Sequence, residues 1–255
     1  MLIDTHAHLY AGQFDEDREA MLLRAQESGV ERVYLPNVDS QSIAGMLELE
    51  ARYPEICFPM MGLHPCSVKE NYEEELAIVK EWLFKRSFCA VGEIGIDLYW
   101  DKTTLPQQII AFKQQIGWAK ELDLPIIIHA RESTEEILAV LQEEKSDNLR
   151  GIFHCFGGTV EQAERIINLG FYLGIGGVLT FKKSGLDKTL AEIDLQHLVL
   201  ETDAPYLAPS PFRGKRNESA YLRLVAEKLA GLKNRSFQEV ASVTSANAKK
   251  IFEKN

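Results

Sequence analysis

No apolar run in this sequence approaches the roughly 20 residues that a membrane-spanning helix needs, so no membrane partner is expected. A basic surplus is also missing. The net charge is −10 and the pI is near 5.2, which excludes a protein that holds nucleic acid on a broad basic face. It leaves room for an enzyme that meets phosphates in a small metal-lined cleft. The four cysteines, Cys57, Cys66, Cys89 and Cys155, form no C-x-x-C pair, so reduced thiols in a cytosolic compartment are expected. No basic region or apolar signal core stands before Asp4 and the histidines that follow it, which agrees with a cytoplasmic location. There is no G-x-S-x-G elbow and no P-loop, so no covalent nucleophile is expected. No segment rich in Pro, Gly or Ser divides the chain, and residues 1–255 read as one domain with no obligate protein partner.

What the chain does have is alternation. Hydrophobic residues at 45% and charged residues at 26% suit an ordinary globular protein. Short apolar runs fall at 2–6, 32–37, 57–64, 88–94, 125–130, 151–156, 171–177 and 197–203. Runs apolar throughout suit parallel strands covered on both faces. Helical patterns lie between them, as at 15–28 before Gly29. Ser133-Thr-Glu-Glu136 and Ser236-Phe-Gln-Glu239 read as capping boxes. Glu73, Glu74 and Glu75 read as the solvated first turn of a helix through Trp82. Eight β–α units in 255 residues predict an α/β fold, the (β/α)8 TIM barrel, with a doubly wound open sheet as the alternative.

Polar residues gather where the apolar runs finish. His6 and His8 end the first expected strand, His64 the third, Glu93 the fourth, His129 the fifth, His154 the sixth and Asp203 the eighth. In a parallel barrel the carboxyl ends of all strands meet at one mouth, where barrel enzymes keep their chemistry. His197 starts the eighth run and would lie at the opposite end, with no role in the site. Residues i and i+2 of an extended strand point the same way, so His6 and His8 can grip one ion together. Imidazole and carboxylate suit divalent metals. Four histidines with Glu93 and Asp203 exceed the needs of one tetrahedral ion, whereas two ions sharing a carboxylate would use them all. Glu93, midway round the barrel between His8 and His129, is the natural bridge. Paired ions of this kind are a device for phosphate-ester cleavage.

His6-x-His8 in IDTHAHL, GLHP at 62–65, GEIGID at 92–97, IIHAR at 127–131, HCFGG at 154–158, ETDAPYL at 201–207 and RGKRNE at 213–218 resemble, in order and spacing, the TatD family of metal-dependent deoxyribonucleases. The resemblance runs along nearly the whole chain. It implies a TIM-barrel hydrolase related to amidohydrolases that cleaves DNA with divalent ions. It further implies one ion held by His6, His8, Glu93 and Asp203 and a second by Glu93, His129 and His154. Gly157 and Ser219 depart from the family's usual residues, in loops expected to meet substrate.

Several other side chains have candidate roles at the mouth, some beside a plainer one. Arg131, two residues past His129, would clamp a phosphate or else pair with Glu132 or Glu135. His64 would donate to a phosphate oxygen or brace the turn at Pro65. Glu201 would orient a ligand histidine. Arg213, Lys215 and Arg216, the one basic cluster, would contact the phosphate backbone from the loop after the eighth strand. Tyr99 and Trp100 would stack on a base or pack under their loop. Cys155 should point away from the mouth and is rejected as nucleophile or ligand.

The expected reaction is hydrolysis of DNA phosphodiesters, single-stranded by preference, with a 3′-5′ exonuclease mode and endonucleolytic cleavage both left open. Two ions of Mg²⁺, Mn²⁺ or Zn²⁺ would serve it, with Glu93 and Asp203 as the catalytic carboxylates and Asp203 relaying the proton of water. The rivals are a small-molecule amidohydrolase or esterase on the same barrel and a metal binder without catalysis.

Overall fold

The apolar runs form eight strands: β1 (Leu2–Asp4), β2 (Val30–Leu35), β3 (Cys57–Pro59), β4 (Val91–Asp97), β5 (Ile126–Arg131), β6 (Gly151–Phe153), β7 (Phe171–Ile175) and β8 (Leu198–Leu200). They come from a computed structural model that describes residues 1–253. All pairings between neighbours are parallel, in two runs, β1-β2-β3 and β4 through β8. Backbone bridges join the two runs at both seams, Met61 to Val91 and Ala7 to Ala204. There Gly92 N–H donates to the Met61 carbonyl at 3.1 Å, and His8 N–H to the Ala204 carbonyl at 2.7 Å. The ring is therefore closed in sequence order, as a (β/α)8 barrel requires.

Strand periodicity sorts the side chains into two cores. Ile3, Tyr34, Met60, Ala90, Ile127, Ile152 and Val199 come from seven successive positions round the ring and pack together. They form the barrel's inner layer. Helix α9 (Phe237–Phe252) closes its lower end with Ala248 and Ile251, and Phe252 stacks on Tyr34 at 3.7 Å between ring centroids. Alternate residues such as Leu35, Ile126, Ile128, Phe153 and Leu198 belong to the larger core between strands and helices. Each fully buried aliphatic or aromatic side chain contributes about 1.5–3 kcal/mol.

The same period places the polar residues. Two positions beyond inward Ile127 stands His129, two beyond Ile152 stands His154, and two beyond Val199 stands Glu201. Apolar filling below and polar side chains above share one face of each strand.

Some expectations need correction. The fourth strand starts and ends three residues later than its apolar run suggests, so Glu93 is its third residue and not its last. The pairing of β4 with β5 shifts between Gly92 and Ile94, and this irregularity turns Glu93 toward the axis. Gly92 itself lies so close to β5 that an added Cβ would come 2.8 Å from that of Ile127. His6, His8, His64, His154 and Asp203 fall just beyond their strands. Helix α5 (Thr134–Glu143) lacks the expected capping box: the Ser133 hydroxyl donates to the Ile96 carbonyl at 2.6 Å instead. Ser236 does cap α9, accepting from Glu239 N–H at 3.1 Å. A full capping box occurs at Thr159 and Gln162, opening α6 (Val160–Asn168), where none was expected.

Candidate metal centre

At the upper end of the barrel, four imidazoles and two carboxylates meet. The two oxygens of Glu93 face different partners. Oε2 lies 3.0 Å from His6 Nε2 and 3.6 Å from His8 Nε2. Oε1 lies 2.8 Å from His129 Nδ1 and 3.7 Å from His154 Nε2. Asp203 Oδ1 reaches His8 at 3.6 Å and His6 at 3.8 Å. Asp203 takes a left-handed backbone, φ +57°, a conformation aspartate tolerates better than most residues.

Donor atoms close enough to hold an ion fall into overlapping groups. His6, His8 and Asp203 make one, His6, Glu93 and His154 another, and His64, Glu93 and His129 a third. The first two share His6 and the last two share Glu93, and the rings of His6 and His154 stack at 3.5 Å.

For His8 and His129 the partner of the outer nitrogen fixes which atom faces the centre. Tyr10 donates its hydroxyl proton to the Pro36 carbonyl at 2.6 Å, so its oxygen, 2.9 Å from His8 Nδ1, can only accept. His8 therefore carries its proton on Nδ1 and turns the Nε2 lone pair inward. Asp97 holds His129 Nε2 at 2.7 Å, and a Glu201 oxygen lies 2.9 Å from His154 Nδ1. Carboxylates in this position orient metal-binding histidines. His64 is arranged in the reverse sense. Its Nδ1 accepts the Cys66 N–H at 3.0 Å, so the neutral ring points an Nε2–H donor at Glu93, 3.4 Å away. That suits a hydrogen-bond donor and not a ligand.

Charge follows from burial. Burial drives the pKa of His6 well below the ordinary value and that of His8 down to about 4, so both are neutral near pH 7. Burial alone would raise Glu93, yet its imidazole neighbours His6, His64, His154 and His129 hold it well below the usual carboxylate range. Burial pushes Asp203 up to about 7. His154 goes the other way: against the effect of burial, Glu201 and Glu93 raise it to about 10.

This donor set fits divalent cations. Both ring nitrogens of His6 are buried without a well-formed hydrogen bond, a costly arrangement that a coordinated ion would relieve. Imidazole nitrogens with two carboxylates are hard-to-intermediate donors of the kind zinc, manganese and magnesium accept.

The structure brings most of the remaining expected residues to the same mouth. A cavity of about 730 Å³ there is lined by His64, Arg131, Arg213 and Lys215 along with the centre. Arg131 pairs with neither Glu132 nor Glu135, which bind Lys102 and Arg165. Its guanidinium lies over the Tyr99 ring, 3.9 Å from the centroid. Arg216 is not brought there. It binds Asp17 at 2.6 Å and lies over the Phe14 ring. Ser219 is buried beneath the site and donates to Asp4 at 2.7 Å, away from any substrate loop. Cys155 stays outside the cavity lining, although its sulfur lies close to His154 and Glu201.

Sequence reasoning missed Asp97, Tyr10, Asp4 and Asn217. Asp4 is fully buried and accepts from Thr202 N–H and Oγ1, Ser219 Oγ and His6 N–H, tying the start of the chain to the segment before Asp203. Asn217 donates to the carbonyls of Thr202 and Tyr206, both at 2.7 Å, and fixes the loop after β8. Asp97 sits four residues beyond Glu93 at the end of an apolar run, the same signal that marked the others.

Comparison with known proteins agrees with this arrangement. A family model described as TatD related DNase matches residues 3–253. The chain is 43% identical to the uncharacterized metal-dependent hydrolase YabD of Bacillus subtilis, over the full length of both. It is 31% identical to the 3′-5′ ssDNA/RNA exonuclease TatD of a Rahnella strain, covering 96% of this chain and 95% of that one. The crystal structure of YjjV, a TatD homologue of Escherichia coli, superposes with a TM-score of 0.93 at 31% identity, covering 100% of this chain and 98% of that one. No helix among the described residues is long and apolar enough to cross a membrane. This chain belongs to the TatD family of metal-dependent hydrolases.

Proposed function

We propose that this hydrolase cleaves phosphodiester bonds of DNA, single-stranded by preference and from the 3′ end, using two divalent ions, Mg²⁺, Mn²⁺ or Zn²⁺. One observation carries the reading: the two oxygens of Glu93 face two separate sets of imidazoles, His6 and His8 on one side, His129 and His154 on the other. That is the placement a bridging carboxylate needs. His6, His8, Glu93 and Asp203 would hold the first ion, and Glu93, His129 and His154 the second. Bound there, such ions polarise a phosphoryl oxygen and acidify water.

The chain's own groups do the rest. Asp203, at the edge of the centre and in the cavity lining, is placed to take a proton from water. Its contacts with His6, His8 and His154 are all through Oδ1, which leaves Oδ2 for that proton. His64 directs an N–H into the cavity, and Arg131, Arg213 and Lys215 supply positive charge at its rim. These cations suit flanking phosphates better than a neutral carbonyl substrate, and they favour DNA over the amidohydrolase or esterase alternative. The Rahnella relative's name supports both the single strand and the 3′-5′ direction.

The test is cleavage of an end-labelled single-stranded oligonucleotide by metal-stripped protein, with Mg²⁺, Mn²⁺ or Zn²⁺ restored separately. Metal-dependent shortening from the 3′ end, abolished in Glu93→Ala, is expected. Hydrolysis of small esters or amides with intact DNA would move the assignment to the carbonyl alternative.

A further inference from the structure

Among the described residues, four aromatic side chains are exposed: Phe84, Tyr99, Trp100 and Tyr206. Trp100 and Tyr206 line the mouth, and Tyr99 packs edge-on against Trp100. Trp100 is the most exposed at 70%, yet it lines the same cavity as Glu93 and Asp203. An indole left this open loses the stabilisation of burial, so its place beside the reactive groups calls for an explanation.

Its neighbours suggest one. Tyr99 stands edge-on to Trp100 at 4.9 Å, and the Arg131 guanidinium caps Tyr99 at 3.9 Å and Trp100 at 5.5 Å. Arg131 makes no ion pair among the described residues, so the N–H edge of its guanidinium is uncommitted to any carboxylate. The loop is also anchored. Asp97 Oδ1 accepts the N–H groups of Tyr99 at 3.0 Å and Trp100 at 3.1 Å, while its Oδ2 holds His129. One carboxylate thus ties the aromatic pair to a candidate metal ligand. Arg213 lies flat over Phe181 at 3.7 Å, and both residues line the same cavity.

We infer that Trp100, braced by Tyr99 and Arg131, is a stacking subsite for one unpaired nucleobase of the substrate, and that Arg131 meets the phosphate beside that base. This rests on the phosphodiesterase reading and adds to it the group that selects a single strand. A base within a duplex has both faces covered by its neighbours and cannot reach the indole. Stacking of this kind accepts every base, since each has a π-face, and a guanidinium held flat on a ring still offers its edge to phosphate.

The test compares an oligothymidylate with an oligomer of the same length made of abasic tetrahydrofuran units. Trp100→Ala should lower the ratio of their kcat/KM values by roughly tenfold, the effect of one stacked base. Trp100→Phe should restore much of that ratio. In parallel, oligothymidylate should quench indole fluorescence in the wild type and much less in Trp100→Phe. Equal losses on both oligomers, or no loss, would overturn the subsite. If the wild type cleaves neither oligomer with any metal, the phosphodiesterase reading fails. The fluorescence titration then decides alone: quenching confined to Trp100 supports a base-binding site, and its absence overturns it.

Discussion

Asp97 Oδ2 lies 2.7 Å from His129 Nε2 and leaves Nδ1 of the same ring facing Glu93 at 2.8 Å. The carboxylate therefore decides which nitrogen of His129 is presented to the centre. Asp97→Asn keeps the size but loses the charge, and its amide can turn a donor toward the ring. Affinity for the second ion should fall about 10–100-fold, with the first ion little changed. Calorimetric titration with Mn²⁺ would read this as one weakened site of two. Two unaltered sites would show that Asp97 serves only its own loop.

Gly174 makes room for Glu201. A Cβ added there would come 2.2 Å from Glu201 Oε2 and 3.3 Å from the His154 Cα. Gly174→Ala must displace a buried carboxylate that accepts the Cys155 N–H at 2.6 Å and touches His154. Overpacking of this kind costs about 1–3 kcal/mol, so urea unfolding should shift by that amount. The affinity for metal should drop with it, through His154. A variant that is destabilised yet binds metal normally would separate Glu201 from the centre.

The basic loop divides into two roles. Arg213 lines the cavity, whereas Arg216 is bound to Asp17 and Glu218. Arg213→Ala should weaken binding of single-stranded DNA and reduce the salt slope of binding by about 1. Arg216→Ala should leave the salt slope unchanged and lower stability by about 0.5–1 kcal/mol, as for a partly exposed pair. Binding measured at several salt concentrations, beside urea unfolding, distinguishes them.

Hydrogen bonds from Arg216 and Arg24 hold the Asp17 carboxyl well below its ordinary pKa. A carboxyl depressed in the folded state stabilises the fold above its unfolded value of about 3.9, and that contribution is lost as pH falls toward the folded value. Wild type should therefore exceed Asp17→Asn in stability at pH 7, with the gap shrinking as pH drops below about 4 toward the folded value. A gap that stays constant would mean the residue acts without its charge.

Much of this was legible because strand periodicity and metal chemistry leave marks in sequence. Ile127 with His129 and Ile152 with His154 repeat one device, an inward apolar residue followed two places on by an inward ligand. What was not legible depends on contacts between distant segments. The register shift that turns Glu93 inward is invisible in GEIGID, because it arises from how β4 meets β5. Ser133 looked like a helix cap, but a carbonyl of β4 offered its hydroxyl a partner. Arg216 reads like its neighbour Arg213, but the fold sets Asp17, 199 residues away in sequence, beside it. Tyr10 could be assigned no role until Pro36 was seen to take its proton.

The central claim is that Glu93 joins two ions in one centre. Its most direct test is the number of Mn²⁺ or Zn²⁺ ions bound per folded chain, measured by elemental analysis after equilibrium dialysis, for wild type and Glu93→Ala. Two ions are expected for wild type and at most one for the variant, with circular dichroism confirming that the variant is folded. Two ions retained in folded Glu93→Ala would contradict it.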